Sequence, residues 1–374
     1  MKRDKKIEEL ALQRSKYKHL SDDEWRWLLQ QTEGRERTAD KLPLFASMED
    51  WWYPVRVSCE QCSSEQTAQY KASLVSGEKM ADLTAGYGVD TFFMSERFKQ
   101  ACYVEQNAEL CRIAAHNFAL TDHQQSIIIH NMTAEDFLKT AGQYDLIFAD
   151  PARRDNYGGK VFKLDDCTPN IVELLPALRE HLTPKGRVML KLSPMLDISQ
   201  AVNALAAVQW DVHVVAVKNE VKEVLLVSGG TGLVTAIDLA KKDQVFTFTK
   251  EDERACGFRQ ETGNWKYLYE PNAAILKAGA YKLVAARYGL QKMDVNTHLY
   301  ASDKLVEDFP GRVWQIATAP TPITSANVIC RNYPLTPEQL KKKMRIKDGG
   351  DIYVIGCRMN GKPAVFTAER IGTK

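Results

Sequence analysis

DVHVVAVKNEVKEVLLVS, Asp211 to Ser228, decides the architecture. It holds two apolar runs, 211–217 and 222–228, each long enough for a buried strand. Only Lys218 to Val221 separate them. A crossover between parallel strands needs about a dozen residues, so the second run must turn back antiparallel to the first. Towards the N-terminus, five further apolar runs read as strands, at 80–84, 101–105, 126–130, 144–150 and 186–192. Amphipathic stretches near 90–99, 107–119, 133–141, 169–182 and 197–208 read as the helices between them. Continuous Val/Ile/Leu/Phe strands linked by helices predict a parallel sheet covered on both faces. The expected fold is α/β, with six parallel strands closed by an antiparallel seventh.

The chain has 374 residues, room for two or three domains, and its 44% hydrophobic and 26% charged residues are ordinary globular usage. No run of eighteen apolar residues occurs, so no membrane span is expected. The basic N-terminus, MKRDKKIEELALQRSKYKHL, lacks the apolar core of a signal peptide, which points to a cytoplasmic protein. Eight cysteines are scattered, and only Cys59 and Cys62 form a C-x-x-C pair, readable as a redox pair or as buried, incidental thiols. The seven histidines form no ligand cluster, so no metal is expected. The net charge is +2, yet from Ala301 onward twelve Lys/Arg face seven Asp/Glu, leaving 12 − 7 = +5. A basic final fifth suits a polyanionic partner, or is the solvated face of a lysine-rich helix.

Residues 5–32 read as helical, with Ser21 before DDEW as an N-cap. The stretch KLPLFASMEDWWYPVRV, without a clear period, reads as an ordered connector packed on the next unit. After Gly230 a second hairpin is expected from VTAIDLA and VFTFTKE, followed by a helical segment, AAILKAGAYKLVAARYGL. The tail reads strand (SANVICRN), helix (TPEQLKKKMRI), strand (DIYVIGCRM), turn (NGKP), strand (AVFTAERI), with Thr336 as N-cap and Pro337 at the first helical position. The expected domains are a helical region and connector over 1–75, the sheet domain over 76–230, a connecting region over 231–300, and a basic α/β domain over 301–374.

Strand one delivers DLTAGYGVD, Asp82 to Asp90, where Gly86 and Gly88 permit the positive φ and close backbone approach of a strand-to-helix turn. A dinucleotide fingerprint would place a third glycine where Thr91 stands, so dinucleotide binding loses ground. Asp82 instead suits a ligand carrying an ammonium group. Strand two ends in Glu105, where a carboxylate can accept hydrogen bonds from both ribose hydroxyls. Strand three exits into Asn131, Met132 and Thr133, placed to flank a purine ring; Asn131 and Asp82 can equally serve as loop caps, and Met132 as core.

DLTAGYGVD, YVEQN and FADPARR, with the antiparallel seventh strand, resemble a class I S-adenosylmethionine-dependent methyltransferase. That resemblance covers about residues 60–230 and implies a Rossmann-like seven-stranded sheet with S-adenosylmethionine as cofactor. It also implies a cofactor site built from Asp82, Thr84, Gly86, Gly88, Asp90, Glu105, Gln106, Met132, Thr133 and Asp150. More narrowly, EGRERTADKLP, EQCSSEQTAQYKA and the tail resemble a group of uncharacterised bacterial methyltransferases with a THUMP-like C-terminal domain. The region before that domain is open to a ferredoxin-like reading. In related methyltransferases a segment like EQCSSEQTAQYKA closes over the cofactor. Ser63 or Ser64 can cap a helix facing the methionine carboxylate, and Gln61 can add a hydrogen bond.

In YDLIFADPARRD, Tyr144 to Asp155, an interior strand ends in an acid beside two arginines. In the family this strand end lies beside the methyl group, so Asp150, Pro151 and Arg153 are the expected catalytic residues. Arg153 and Arg154 read as phosphate grips, or as structural ion pairs with Asp165 or Asp166. The family's stacking aromatic is missing directly after Asp150-Pro151-Ala152, and Tyr157 is the substitute. LKLSP after strand five holds no cysteine, which argues against covalent pyrimidine chemistry. The expected activity is methylation of a base nitrogen in tRNA or rRNA, with Lys341, Lys342, Lys343 and Arg345 docking the RNA. The alternatives are a protein or small-molecule methyltransferase, and a non-catalytic RNA-binding protein on the same scaffold.

Overall fold

The computed structural model describes residues 11–153, 164, 167–241, 244–257, 263, 265–317 and 323–372. They fall into two compact units, one running to Trp210 with Leu225–Gly229, the other Asp211–Val224 with Gly230 onward.

In the first unit, Ser21 opens helix α1 (Asp22–Thr38) with a capping box: its hydroxyl accepts from the Glu24 N–H, and the Glu24 carboxylate accepts from the Ser21 N–H. The helical reading of 5–32 holds from the Ser21 cap onward and is corrected before it. A 3-10 turn at Arg14–Tyr17 precedes the cap, the helix runs on to Thr38, and residues 5–10 lie outside the described residues. Short helices α2 (Pro43–Ser47), α3 (Arg56–Gln61) and α4 (Glu65–Ser73) follow. The connector is packed as expected, with Leu42, Phe45, Trp51 and Tyr53 buried in one cluster with Phe92 and Phe93. The Trp51 indole N–H donates to the Tyr87 hydroxyl (3.0 Å), which donates in turn to the Trp52 carbonyl (3.1 Å), fastening the connector to the glycine turn.

The strands β1 (Gly77–Asp82), β2 (Phe98–Val104), β3 (Ile127–His130), β4 (Tyr144–Ala149) and β5 (Leu182–Leu192) follow the predicted runs to within a few residues. Between them stand α5 (Val89–Ser95), α6 (Ala108–Ala119), α7 (Ala134–Leu138) and α8 (Ile171–Glu180), with α9 (Ile198–Ala204) after β5. All four ladders are parallel, in the order β5-β4-β1-β2-β3. The strand order reverses at β1, whose neighbours are β2 and β4, and this switch point opens a crevice at the carboxyl ends of the strands.

The deciding hairpin is β6 (Trp210–Val217) and β7 (Glu220–Ser228), joined by two residues. Lys218 and Asn219 have φ of +54° and +64°, the paired left-handed conformation that turns a strand straight back on itself. Lysine has no preference for that region. The Asp238 carboxylate holds it there by accepting from the N–H groups of Lys218 (3.0 Å) and Asn219 (2.6 Å). The two units divide β7, which gives Glu220–Val224 to the second and Leu225–Ser228 to the first. The expected hairpin of β8 (Leu233–Asp238) and β9 (Val245–Thr249) is present, with helix α10 (Lys250–Ala255) after it, and β8 adds to β6 in parallel.

A further seven-stranded sheet fills the rest of the second unit. Its strands are β10 (Tyr267–Pro271), β11 (Gln291–Asp294), β12 (Thr297–Ser302), β13 (Gly311–Ile316), β14 (Ser325–Arg331), β15 (Lys347–Met359) and β16 (Lys362–Ile371), in the order β11-β12-β10-β13-β16-β15-β14. The tail follows its reading, with helix α13 (Pro337–Met344) capped by Thr336. The single helix expected over 273–290 is corrected to two, α11 (Ala273–Ala278) and α12 (Leu283–Arg287). Gly279, at φ +85°, ends the first in a left-handed cap. Strands β10 to β13 were not foreseen: they are four to six residues long and mix polar with apolar side chains, which leaves little periodicity to read.

Candidate active site

The side chains of the site come from the carboxyl ends of strands in the first unit and from the helical segments α3, α4 and α5. The turn after β1 is built around its glycines. Gly88, at φ +85°, caps α5, and a Cβ there would lie 3.0 Å from Cζ of Phe118 and 3.3 Å from Cε2 of Tyr103, so both conformation and packing require glycine. Gly86, at φ +56°, is held at both ends: its N–H donates to Oε2 of Glu105 (3.0 Å) and its carbonyl accepts from the Tyr103 hydroxyl (2.5 Å). The other oxygen of Glu105 accepts from the Asn107 N–H (2.8 Å), so backbone from two turns orients this carboxylate. Between these turns and the α3–α4 segment lies a cavity of about 320 Å³.

The cavity's charges are interlocked. Asp82 is buried, its oxygens bonded to the Thr91 hydroxyl (2.6 Å) and the Thr84 N–H (3.1 Å). Burial pushes its carboxyl up to about 7, against the opposing pull of Thr91. Asp90, on α5, accepts from the Ser63 hydroxyl (2.7 Å) and pairs with Lys71 (3.2 Å), whose side chain is 0% exposed. Burial works against its charge, yet the Lys71 and Lys191 ammoniums hold its carboxyl below the usual range. Lys191, near the end of β5, lies 3.6 Å from Asp90 and 2.5 Å from Oδ2 of Asp150. Asp150, the first residue past β4, has its N–H bonded to the Thr84 hydroxyl (2.6 Å). The result is an alternating series, Lys71, Asp90, Lys191, Asp150, from α4 to the exit of β4.

Burial raises both thiols of the C-x-x-C pair, that of Cys59 to about 12, so neither is poised as a nucleophile. Among the described residues no group of three or more His, Cys, Asp or Glu is arranged to hold a metal ion. No helix among them is long and apolar enough to cross a membrane.

Residues 267–310 match a ferredoxin-like domain family, and residues 310–370 match a THUMP domain-like family. Proteins from two strains of Mycobacterium tuberculosis, CDC 1551 and H37Rv, are 22% identical over 352 residues, 89% of this chain and 92% of theirs. Both are named as uncharacterised S-adenosylmethionine-dependent methyltransferases. The crystal structure of a candidate methyltransferase from Porphyromonas gingivalis W83 is 30% identical, covers 94% of this chain and 92% of its own, and superposes with a TM-score of 0.84. The chain belongs to the S-adenosylmethionine-dependent methyltransferases. The cavity fits that cofactor. Gly86 leaves open the space that a side chain would occupy, and a carboxylate, Glu105, stands just past the end of β2.

Of the residues predicted for the methyltransferase site, Gln61, Ser63, Asp82, Thr84, Gly86, Gly88, Asp90, Glu105, Gln106, Met132, Thr133 and Asp150 all line the cavity. Ser64 does not line it; its hydroxyl caps α4 by accepting from the Thr67 N–H, while Ser63 faces inward. Pro151 is also outside the lining, where its neighbour Ala152 stands. The Asn131 amide takes the loop-cap alternative, donating to the carbonyls of Glu105 (2.9 Å) and Gln106 (3.0 Å). The side chain of Arg153, and Arg154, Tyr157, Asp165 and Asp166 entirely, lie outside the described residues. In the second unit Lys342, Lys343 and Arg345 are exposed, whereas Lys341 is paired with Asp348. Sequence reasoning missed Lys71 and Lys191. Their signal was available in principle, since a lysine within a buried stretch demands an acid, but the sequence does not say which one.

Proposed function

We propose that this methyltransferase is a cytoplasmic enzyme that methylates a base nitrogen of RNA, tRNA or rRNA. One observation carries the reading: a carboxylate, Asp150, stands on the cavity wall at the exit of β4, paired with a lysine. S-adenosylmethionine supplies an electrophilic methyl group when bound. Under this reading Gln61 and Ser63 face its carboxylate, Asp82 and the Gly86–Gly88 turn its amino-acid part, Glu105 its ribose, and Gln106, Met132 and Thr133 its adenine.

Asp150 then accepts a hydrogen bond from the N–H of the methyl acceptor, helped by the Pro151 carbonyl. That bond aligns the nitrogen lone pair and offsets the positive charge that builds as the N–C bond forms and the C–S electron pair returns to sulfur. The displaced proton passes to water. The THUMP-like match and the exposed Lys342, Lys343 and Arg345 support RNA as the partner. Arg153, Arg154 and Tyr157, three to seven positions after Asp150 in the sequence, complete the proposed RNA contacts, the arginines gripping phosphate and Tyr157 stacking on the base.

Mass spectrometry of RNA nucleosides from cells with and without the gene tests the substrate. A methylated base that disappears with the gene is the expected result, and an unchanged nucleoside profile with a methylated protein or metabolite lost instead would reject RNA. Asp150→Ala is expected to lower transfer about 10²–10³-fold while calorimetry finds binding of the demethylated cofactor retained. Equal loss of both would reject the role given to Asp150.

A further inference from the structure

We infer that Lys191 is a positioning residue for methyl transfer, fixing the orientation of Asp150 and tying it to the cofactor wall through Asp90. The inference rests on the proposed role of Asp150 and adds a residue that acts through it. Lys191 occupies the penultimate position of β5, between the buried Leu190 and Leu192, with its side chain 12% exposed. An ammonium in such a place is tolerated only where carboxylates compensate it. Here two do, on different elements: Asp150 past β4 and Asp90 on α5.

The two carboxylates differ in how they are held. Asp90 is fixed independently, by Ser63 and Lys71. Asp150 is more open, with its side chain 37% exposed, and among the described residues Lys191 supplies its one ion pair. Without that ammonium the carboxylate would regain the rotamer freedom of a loop residue and would lose the cation it shares with Asp90. With it, Oδ2 is pinned and the Asp150 carboxylate presents one defined face to the acceptor. Ordering of this kind, established before the reaction, is what a charge-stabilising group requires. Because Asp90 also receives Ser63 from the segment between α3 and α4, the same ammonium links the cofactor side of the cavity to the acceptor side.

The test uses the full chain carrying Lys191→Met, Lys191→Arg, Asp150→Asn and the Lys191→Met/Asp150→Asn pair. Transfer of tritiated methyl is followed into total RNA, protein and small-molecule fractions of cells lacking the gene, so that the readout does not depend on which fraction holds the acceptor. Lys191→Met is expected to lower kcat about 10²-fold, with the affinity for S-adenosylhomocysteine held within about threefold, a shift below 1 kcal/mol. Lys191→Arg should recover part of the loss. In the Asp150→Asn background Lys191→Met should cost nothing more, because the group it positions is already altered. Wild-type kcat in Lys191→Met, a loss that adds fully to that of Asp150→Asn, or a parallel loss of S-adenosylhomocysteine binding would each overturn the inference. If Lys191→Met does not fold, Lys191→Gln, equally uncharged, is read in its place by the same criteria. Asp150→Asn at the wild-type rate would instead refute the reading of Asp150 itself.

Discussion

Two lysine–aspartate pairs, one in each unit, look alike by distance and differ in everything else. Lys71 and Asp90 approach to 3.2 Å with side chains 0% and 10% exposed; Lys341 and Asp348 approach to 2.5 Å with side chains 27% and 76% exposed. The shorter pair is the weaker. In water its attraction is screened and the charges are well solvated when apart, so forming it gains little. In the cavity wall neither charge can recover its hydration, and each depends on the other. The first unit therefore uses charge to build a fixed site, and the second leaves this pair to solvent.

The largest expected effect breaks the buried pair. Lys71→Met leaves Asp90 with one compensating cation fewer and should lower unfolding stability by about 3–5 kcal/mol in denaturant titrations. Adding Asp90→Leu should return much of it. A loss below 1 kcal/mol would mean that Asp90 is adequately held by Ser63 and Lys191 alone.

Asp82 sharpens the contrast through pH. Its folded carboxyl sits at about 7 against 3.8 unperturbed, so the folded state holds the proton more tightly than the unfolded chain. Its contribution to stability is then full below about pH 4, declines as pH rises towards 7, and is flat above. The slope in that window approaches about 1.4 kcal/mol per pH unit. Chemical denaturation of the wild type and Asp82→Asn at several pH values should show the difference between them changing with this sign. A constant difference would contradict it.

At the exposed end, Lys341→Met should change unfolding stability by less than about 1 kcal/mol in the same titrations; a cost matching that of Lys71→Met would erase the distinction. Smallest of all for the fold is charge reversal at Lys342, Lys343 and Arg345. Unfolding should be unaffected, while the slope of log affinity against log salt for total tRNA should become shallower by about 2–3. An unaltered slope would remove this face from the RNA interface.

Much of the site was visible in the chain as ligand-facing residues at strand ends. Asp82, Glu105, Met132 and Asp150 each follow an apolar run, and a run that ends marks an edge where a ligand can lie. The pairings behind them were not visible. Lys71, Asp90, Lys191 and Asp150 are far apart in sequence, and no local pattern says that the exits of β4 and β5 are adjacent or that α4 lies against α5.

Chain-local energetics alone determined the alternation of strand and helix, the antiparallel return after β6, the caps at Ser21 and Thr336 and the glycines of the turn, because each is settled by residues within one or two turns of one another. The order of the strands, the late sheet assembled from short polar-mixed strands, and the neutralisation of the cavity's charges depended on the tertiary structure. Those features exist only once burial has removed water from groups that the sequence keeps apart, and then each ion must find its counterion among whatever side chains packing has brought within reach.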